Sequence, residues 1–126
     1  MNRAYTLYCR IAAVIFIVNT LYPVMVKLFQ HRLAHDWFHS FLHLLSALFG
    51  AYAGWRANSI SAAKAFTWSI GMLYMGLGMY GWFTPGLFLS SPLAIPLGIA
   101  DNIFHPLLGV PAWTIIMIDA EHSCMR

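Results

Sequence analysis

Two short stretches of this 126-residue sequence place imidazole and carboxylate groups at helical spacing. The first reads His31-Arg-Leu-Ala-His35-Asp36-Trp-Phe-His39-Ser-Phe-Leu-His43, with a histidine at every fourth position; the second reads Asp101-Asn-Ile-Phe-His105. At about 100° per residue, a helix brings Asp36, His39 and His43 within about 60° of one another. A histidine pair one turn apart can ligate a metal ion from one helix face, and a histidine on a facing helix supplies the third ligand. Imidazole suits Zn, Cu and Fe, while the acids can act as ligands or as acceptors that orient the ring N–H groups. His39, His43, His105, Asp101 and Asp36 therefore form a candidate transition-metal site. The same residues permit three other readings. A b-type haem could be held between His43 and His105, or protons or ions could pass along the His/Asp ladder. Alternatively, Asp36–His39 and Asp101–His105 are interhelical hydrogen-bonded pairs that set register and bind nothing.

The elements that must position these groups follow from composition. The chain is 60% hydrophobic and 9% charged, with a mean hydropathy of +0.68, against roughly 25% charged residues in soluble domains. This excludes a water-soluble globule and a disordered chain. A formal charge of +3 from scattered Lys and Arg, with no basic run, argues against nucleic acid as a partner. Cys9 and Cys124 lie near opposite ends without metal or disulfide spacing.

Four segments are apolar for about the 20 residues a bilayer crossing needs. They run from about Ile11 to Phe29, Trp37 to Trp55, Ala65 to Phe83, and Leu97 to Ile118, with a Pro-rich connection from Thr84 to Pro96 before the last. A cleaved signal peptide fits the first segment poorly, because the apolar run is long and no A-x-A-like site follows it. Continuous rather than alternating apolarity argues against a β-barrel. Pro106 and Pro111 predict a kink in the fourth helix rather than a break. Arg3, Arg10, Arg56, Lys64 and Arg126 share one side of this topology, with Lys27 and Arg32 on the other. The positive-inside rule then places both termini in the cytoplasm. The expected fold is an all-α integral membrane protein, a four-transmembrane-helix bundle forming a single domain over 1–126.

Continued along the helix, the His39/His43 face becomes Ala47, Gly50 and Gly54, small residues that mark close packing on a neighbour. The histidines therefore point into the bundle. At about 1.5 Å per residue, His43 lies about 9 Å below Trp37 and His105 about 12 Å below Leu97, similar depths in the outer leaflet. Each half is an apolar span, an outer loop, then a helix with an acid ahead of a histidine, which suggests a tandem two-helix repeat. Tyr5, Tyr8, Trp37, Trp55, Trp82 and Trp113 read as interfacial anchors. Met72, Met75 and Met79 read as core packing rather than soft-metal ligands. Gly71, Gly76, Gly78 and Gly81 imply close contact along the third helix. No Ser-His-Asp set, Walker loop or HExxH motif is present, and one histidine box falls short of the several that mark membrane di-iron oxygenases. The residues therefore point away from an enzyme.

At Asp36…His43-Leu-Leu and Gly98-Ile-Ala-Asp101-Asn-Ile-Phe-His105-Pro-Leu-Leu-Gly109, the chain resembles a family of small uncharacterised bacterial four-helix integral membrane proteins. Its members carry a histidine followed by Leu and Gly in the second helix and Asp-Asn-x-x-His-x-x-x-Gly in the fourth. Pro106 and the histidines upstream of His43 depart from that pattern. The resemblance implies the four-helix fold and a bacterial plasma membrane, and it implies no activity. Two functional expectations follow: a membrane protein that binds a transition metal (Zn, Cu or Fe) without catalysis, or an accessory subunit. The second would pack on a larger membrane complex, or on itself, through its Gly-rich helices.

Overall fold

The structure, a computed structural model, describes residues 2–30, 37–57, 59–84, 86–88 and 95–124. Helix α1 (Asn2–Gln30) is followed by α2 (Trp37–Ala51), which continues into one π-helical turn (Tyr52–Arg56). Helices α3 (Ile60–Phe83) and α4 (Ile99–Cys124) complete the bundle. Within the Pro-rich connection, β1 (Gly86–Phe88) pairs antiparallel with β2 (Ile95–Leu97), placing Leu87 opposite Pro96. A proline has no N–H for a ladder, and a two-stranded ribbon tolerates it because each strand keeps a free edge. Helix α4 runs through both Pro106 and Pro111, as expected for prolines whose freed carbonyls neighbouring helices can accommodate.

The helices associate as two pairs, α1 with α2 and α3 with α4, and small residues explain both. A Cβ at Gly50 would stand 3.1 Å from the Cys9 carbonyl oxygen, and one at Gly54 would stand 2.8 Å from Arg10 Cγ. Those glycines let α2 lie directly on α1, as the small-residue face predicts. In the second pair, Gly78 accepts the Pro106 ring, Gly71 faces Ala112, and Gly109 sits against the Met75 backbone. Gly76 differs from the expectation: it faces outward, with nothing within 4 Å of its Cβ position. The two pairs meet across an aromatic seam. Phe16 of α1 packs edge-on to Tyr74 of α3 at 5.2 Å and to Phe104 of α4 at 6.4 Å between ring centroids.

Polar contacts fix which ends lie together. The Tyr5 hydroxyl donates to Asp119 Oδ2 at 3.1 Å, and the Lys64 ammonium reaches the same oxygen at 2.5 Å. The starts of α1 and α3 and the end of α4 therefore meet. Arg10 Nε donates to the Gly54 carbonyl at 2.7 Å, which brings the end of the second helix to the same place. The N-terminal segment, the link after α2 and the C-terminal turn share one end of the bundle, and the starts of α2 and α4 share the other.

The exterior of the bundle is about as apolar as its core. Large apolar side chains cover the outside, among them Leu21, Leu48, Leu107, Phe83 at 83% exposure and Ile99 at 76%, while His43, Thr67, Asn102 and His105 are buried. Among the described residues, two helical segments, Arg3–Tyr22 and Ile99–Cys124, are long and apolar enough to cross a membrane. Two expectations change. Tyr5 and Tyr8 are core residues rather than belt anchors, because α1 begins well before the apolar run and carries both rings inward. Met72 and Met79 face outward at 58% exposure each, so they are neither core nor candidate ligands. Trp55 and Trp82 are exposed, whereas Trp113 is partly buried and donates its indole N–H to the Gly71 carbonyl at 3.1 Å.

Candidate metal centre

His39 and His43 occupy successive turns of α2, and His105 lies in the second turn of α4 at the same end of the bundle. One ring nitrogen from each lies within 4.8 Å of the others. Three nitrogens bound tetrahedrally at about 2.0–2.1 Å would stand about 3.3 Å apart. The cluster therefore needs a contraction of at most about 1.5 Å, within the reach of small χ1 and χ2 adjustments. The His39 and His43 rings lie 4.3 Å apart at 62°, and His39 and His105 lie 6.2 Å apart at 75°.

The surroundings are apolar and aromatic. Phe16 packs on His43 at 5.6 Å, Tyr74 packs on His105 at 5.0 Å, and Phe104 lies 5.9 Å from His43 and 6.2 Å from His105. His105 is 1% exposed and His43 is 6% exposed. His43 Nε2 and His105 Nδ1 are buried and have no hydrogen-bond partner among the described residues. Buried polar atoms in proteins are nearly always satisfied, so these two nitrogens are poised for a ligand.

The acids behave differently from the histidines. Asp101 lies in the first turn of α4, where its Oδ2 accepts the Gly98 backbone N–H at 3.3 Å. It is not among the groups gathered around His39, His43 and His105. Three residues into a helix, a carboxylate reaches back to the N–H at the cap, and this local partner wins over a contact with His105. Asp36, like His31 and His35, lies outside the described residues.

Asn102 is the neighbour whose role the sequence did not disclose. Its Nδ2 donates to the Gly81 carbonyl at 2.9 Å, and a Cβ at Gly81 would collide with its amide. This bond joins the end of α3 to the start of α4 and fixes the height of His105, three residues on. The signal was present as an Asn beside Asp101 and a glycine closing α3, yet nothing in the sequence pairs them. Compared with protein-family models, curated proteins and solved structures, the chain matches none.

Proposed function

We propose that this chain is a four-span integral membrane protein of a bacterial plasma membrane that holds one transition-metal ion through His39, His43 and His105. The convergence of three imidazole nitrogens within 4.8 Å inside an aromatic box carries the reading. Bilayer placement is supported by the apolar exterior: a soluble surface rarely presents apolar patches larger than a few hundred Å². With the termini in the cytoplasm, the cluster lies in the outer half of the membrane.

The donor set narrows the ion. Three neutral imidazoles suit Zn, Cu or Fe, but they offset none of its charge, and burying an uncompensated charge is costly. Because that cost grows with the square of the charge, the site favours monovalent copper, or a divalent ion that brings an anion as its fourth ligand. The proposed role is binding rather than catalysis: among the described residues the rings packed on the cluster are Phe16, Tyr74 and Phe104, and no carboxylate joins them. A b-type haem is less well supported, because Phe16, Tyr74 and Phe104 pack against the histidine rings where a macrocycle would have to pass. The accessory-subunit reading rests on the His/Asp pairs being structural, and Asp101 spends its carboxylate on Gly98 rather than on His105.

Elemental analysis of protein purified in detergent tests the proposal. One equivalent of metal in the wild type, lost in both His43→Ala and His105→Ala with the fold retained, is the expected outcome. Metal-free wild-type protein after growth and purification with added Zn, Cu and Fe would overturn it, and a Soret band would point to haem instead.

A further inference from the structure

At the opposite end of the bundle from the histidines, we propose a binding site for one anionic phospholipid, its phosphate held by Arg10 and Arg3 and an acyl chain lying along α1. The inference rests on the bilayer placement proposed above and is independent of the metal.

Arg10 is fixed in a way that surface arginines usually are not. Its Nε is bound to the Gly54 carbonyl at 2.7 Å, and its guanidinium carbon lies 5.6 Å from the Trp55 ring centroid. The π-helical turn contributes to this geometry: Ala57 N–H reaches back five residues to the Tyr52 carbonyl at 2.8 Å, and the Gly54 carbonyl takes Arg10. A guanidinium has five N–H donors in a planar fork. With Nε engaged, the two terminal nitrogens keep the edge that grips a phosphate in bidentate fashion.

Three cavities meet at this side chain. One, of about 400 Å³, is lined by Arg3, Thr6, Leu7 and Arg10. A second, of about 300 Å³, adds the backbone around Gly54 and Ala57 together with Ser59. The third, also about 300 Å³, is apolar and runs down Ile11, Val14 and Ile15 beneath Arg10 and Trp55. Space lined by Arg3 and Arg10 beside an apolar cleft is complementary in shape and charge to an anionic amphiphile. Ser59 makes no side-chain cap to α3, so the N–H groups there add to the positive field beside the second cavity. Of the two acids near this end of α4, Asp119 is engaged by Lys64 and Tyr5, and Glu121 does not line these cavities. In the proposed topology this is the cytoplasmic end, where anionic headgroups attract basic residues.

Native mass spectrometry of the protein in neutral detergent tests the site with dioleoyl phosphatidylglycerol, dioleoyl phosphatidylcholine and glycerol phosphate. One phosphatidylglycerol is expected to be retained, while phosphatidylcholine and glycerol phosphate are not. Arg10→Ala should weaken retention about 10-fold to 100-fold through the lost bidentate bonds. Arg3→Ala should weaken it about fivefold, and Arg56→Ala, outside the cavity lining, should leave it unchanged. Equal retention of phosphatidylcholine or of glycerol phosphate, or equal effects of Arg56→Ala and Arg10→Ala, would overturn the proposal. Should Arg10→Ala fail to fold without its bond to Gly54, Arg3→Ala and Arg10→Lys decide, and unweakened retention in both refutes the site. Recovery of the chain in the soluble fraction would instead defeat the bilayer placement, and chelation of metal should not alter lipid retention.

Discussion

Two glycines of α3, two residues apart, make opposite predictions for the same substitution. In Gly78→Ala the new Cβ would stand 2.7 Å from Pro106 Cδ and 2.8 Å from Cγ, where ordinary contact begins at 3.4 Å. The pyrrolidine ring cannot rotate away, so α4 must retreat by about 0.7 Å, and such overpacking costs roughly 1–3 kcal/mol. In Gly76→Ala the Cβ meets nothing within 4 Å. Alanine gains up to about 1 kcal/mol of helix propensity at either site, and this gain cancels when the variants are compared. Gly78→Ala should therefore be less stable than Gly76→Ala by about 1–3 kcal/mol, read as reversible unfolding in mixed micelles by circular dichroism. Because His105 directly precedes Pro106, Gly78→Ala should also weaken metal binding while Gly76→Ala leaves it unchanged. Equal stabilities, or a more stable Gly78→Ala, would refute the close α3–α4 approach on which the site depends.

Other measurements probe the site and the topology. Asp101→Ala should lose its bond to Gly98, destabilise by no more than about 1 kcal/mol, and keep full metal content by elemental analysis. Chelation should lower the thermal midpoint of the wild type by on the order of 10 °C if the ion is present at about 1,000 times its dissociation constant, and should leave His105→Ala unmoved. Metal should be released on acidification, since protons compete with the ion for each imidazole, and equilibrium dialysis across a pH series would show it. The Cys9 thiol is buried and that of Cys124 is exposed. A maleimide should therefore label Cys124 alone in the folded protein, and a membrane-impermeant one should reach it only after the cells are opened.

The helices were legible because four long apolar runs are hard to miss, and α3 ends at Phe83 where its apolar run stops. Their starts were harder to place. Hydropathy falls at Arg3, Arg10 and Lys64, but backbone hydrogen bonding continues through charged residues when Arg10 can turn to Gly54 and Lys64 to Asp119. Tyr5 and Tyr8 were misplaced for the same reason. The outward Met72 and Met79 show a second limit: where the exterior is as apolar as the core, periodicity no longer separates the two faces. The His39–His43 pair was legible because i,i+4 spacing puts both on one helix face, and His105 because its distance from the start of its own helix matches theirs in depth. Asp101 was not, because a carboxylate near a helix start has a backbone partner that spacing alone does not reveal.

The pairing of α1 with α2 and of α3 with α4 also bears on the order of assembly. Each hairpin is closed by its own small residues and, under the proposed bilayer placement, would enter the membrane as a unit. The first to leave the ribosome already carries His39 and His43, which under the proposed function would make it a weak two-point holder of metal. The proposed third ligand, His105, would arrive only with the last quarter of the chain. Ion capture would then be the closing step of biogenesis, clasping two hairpins that the backbone joins only through the link between α2 and α3.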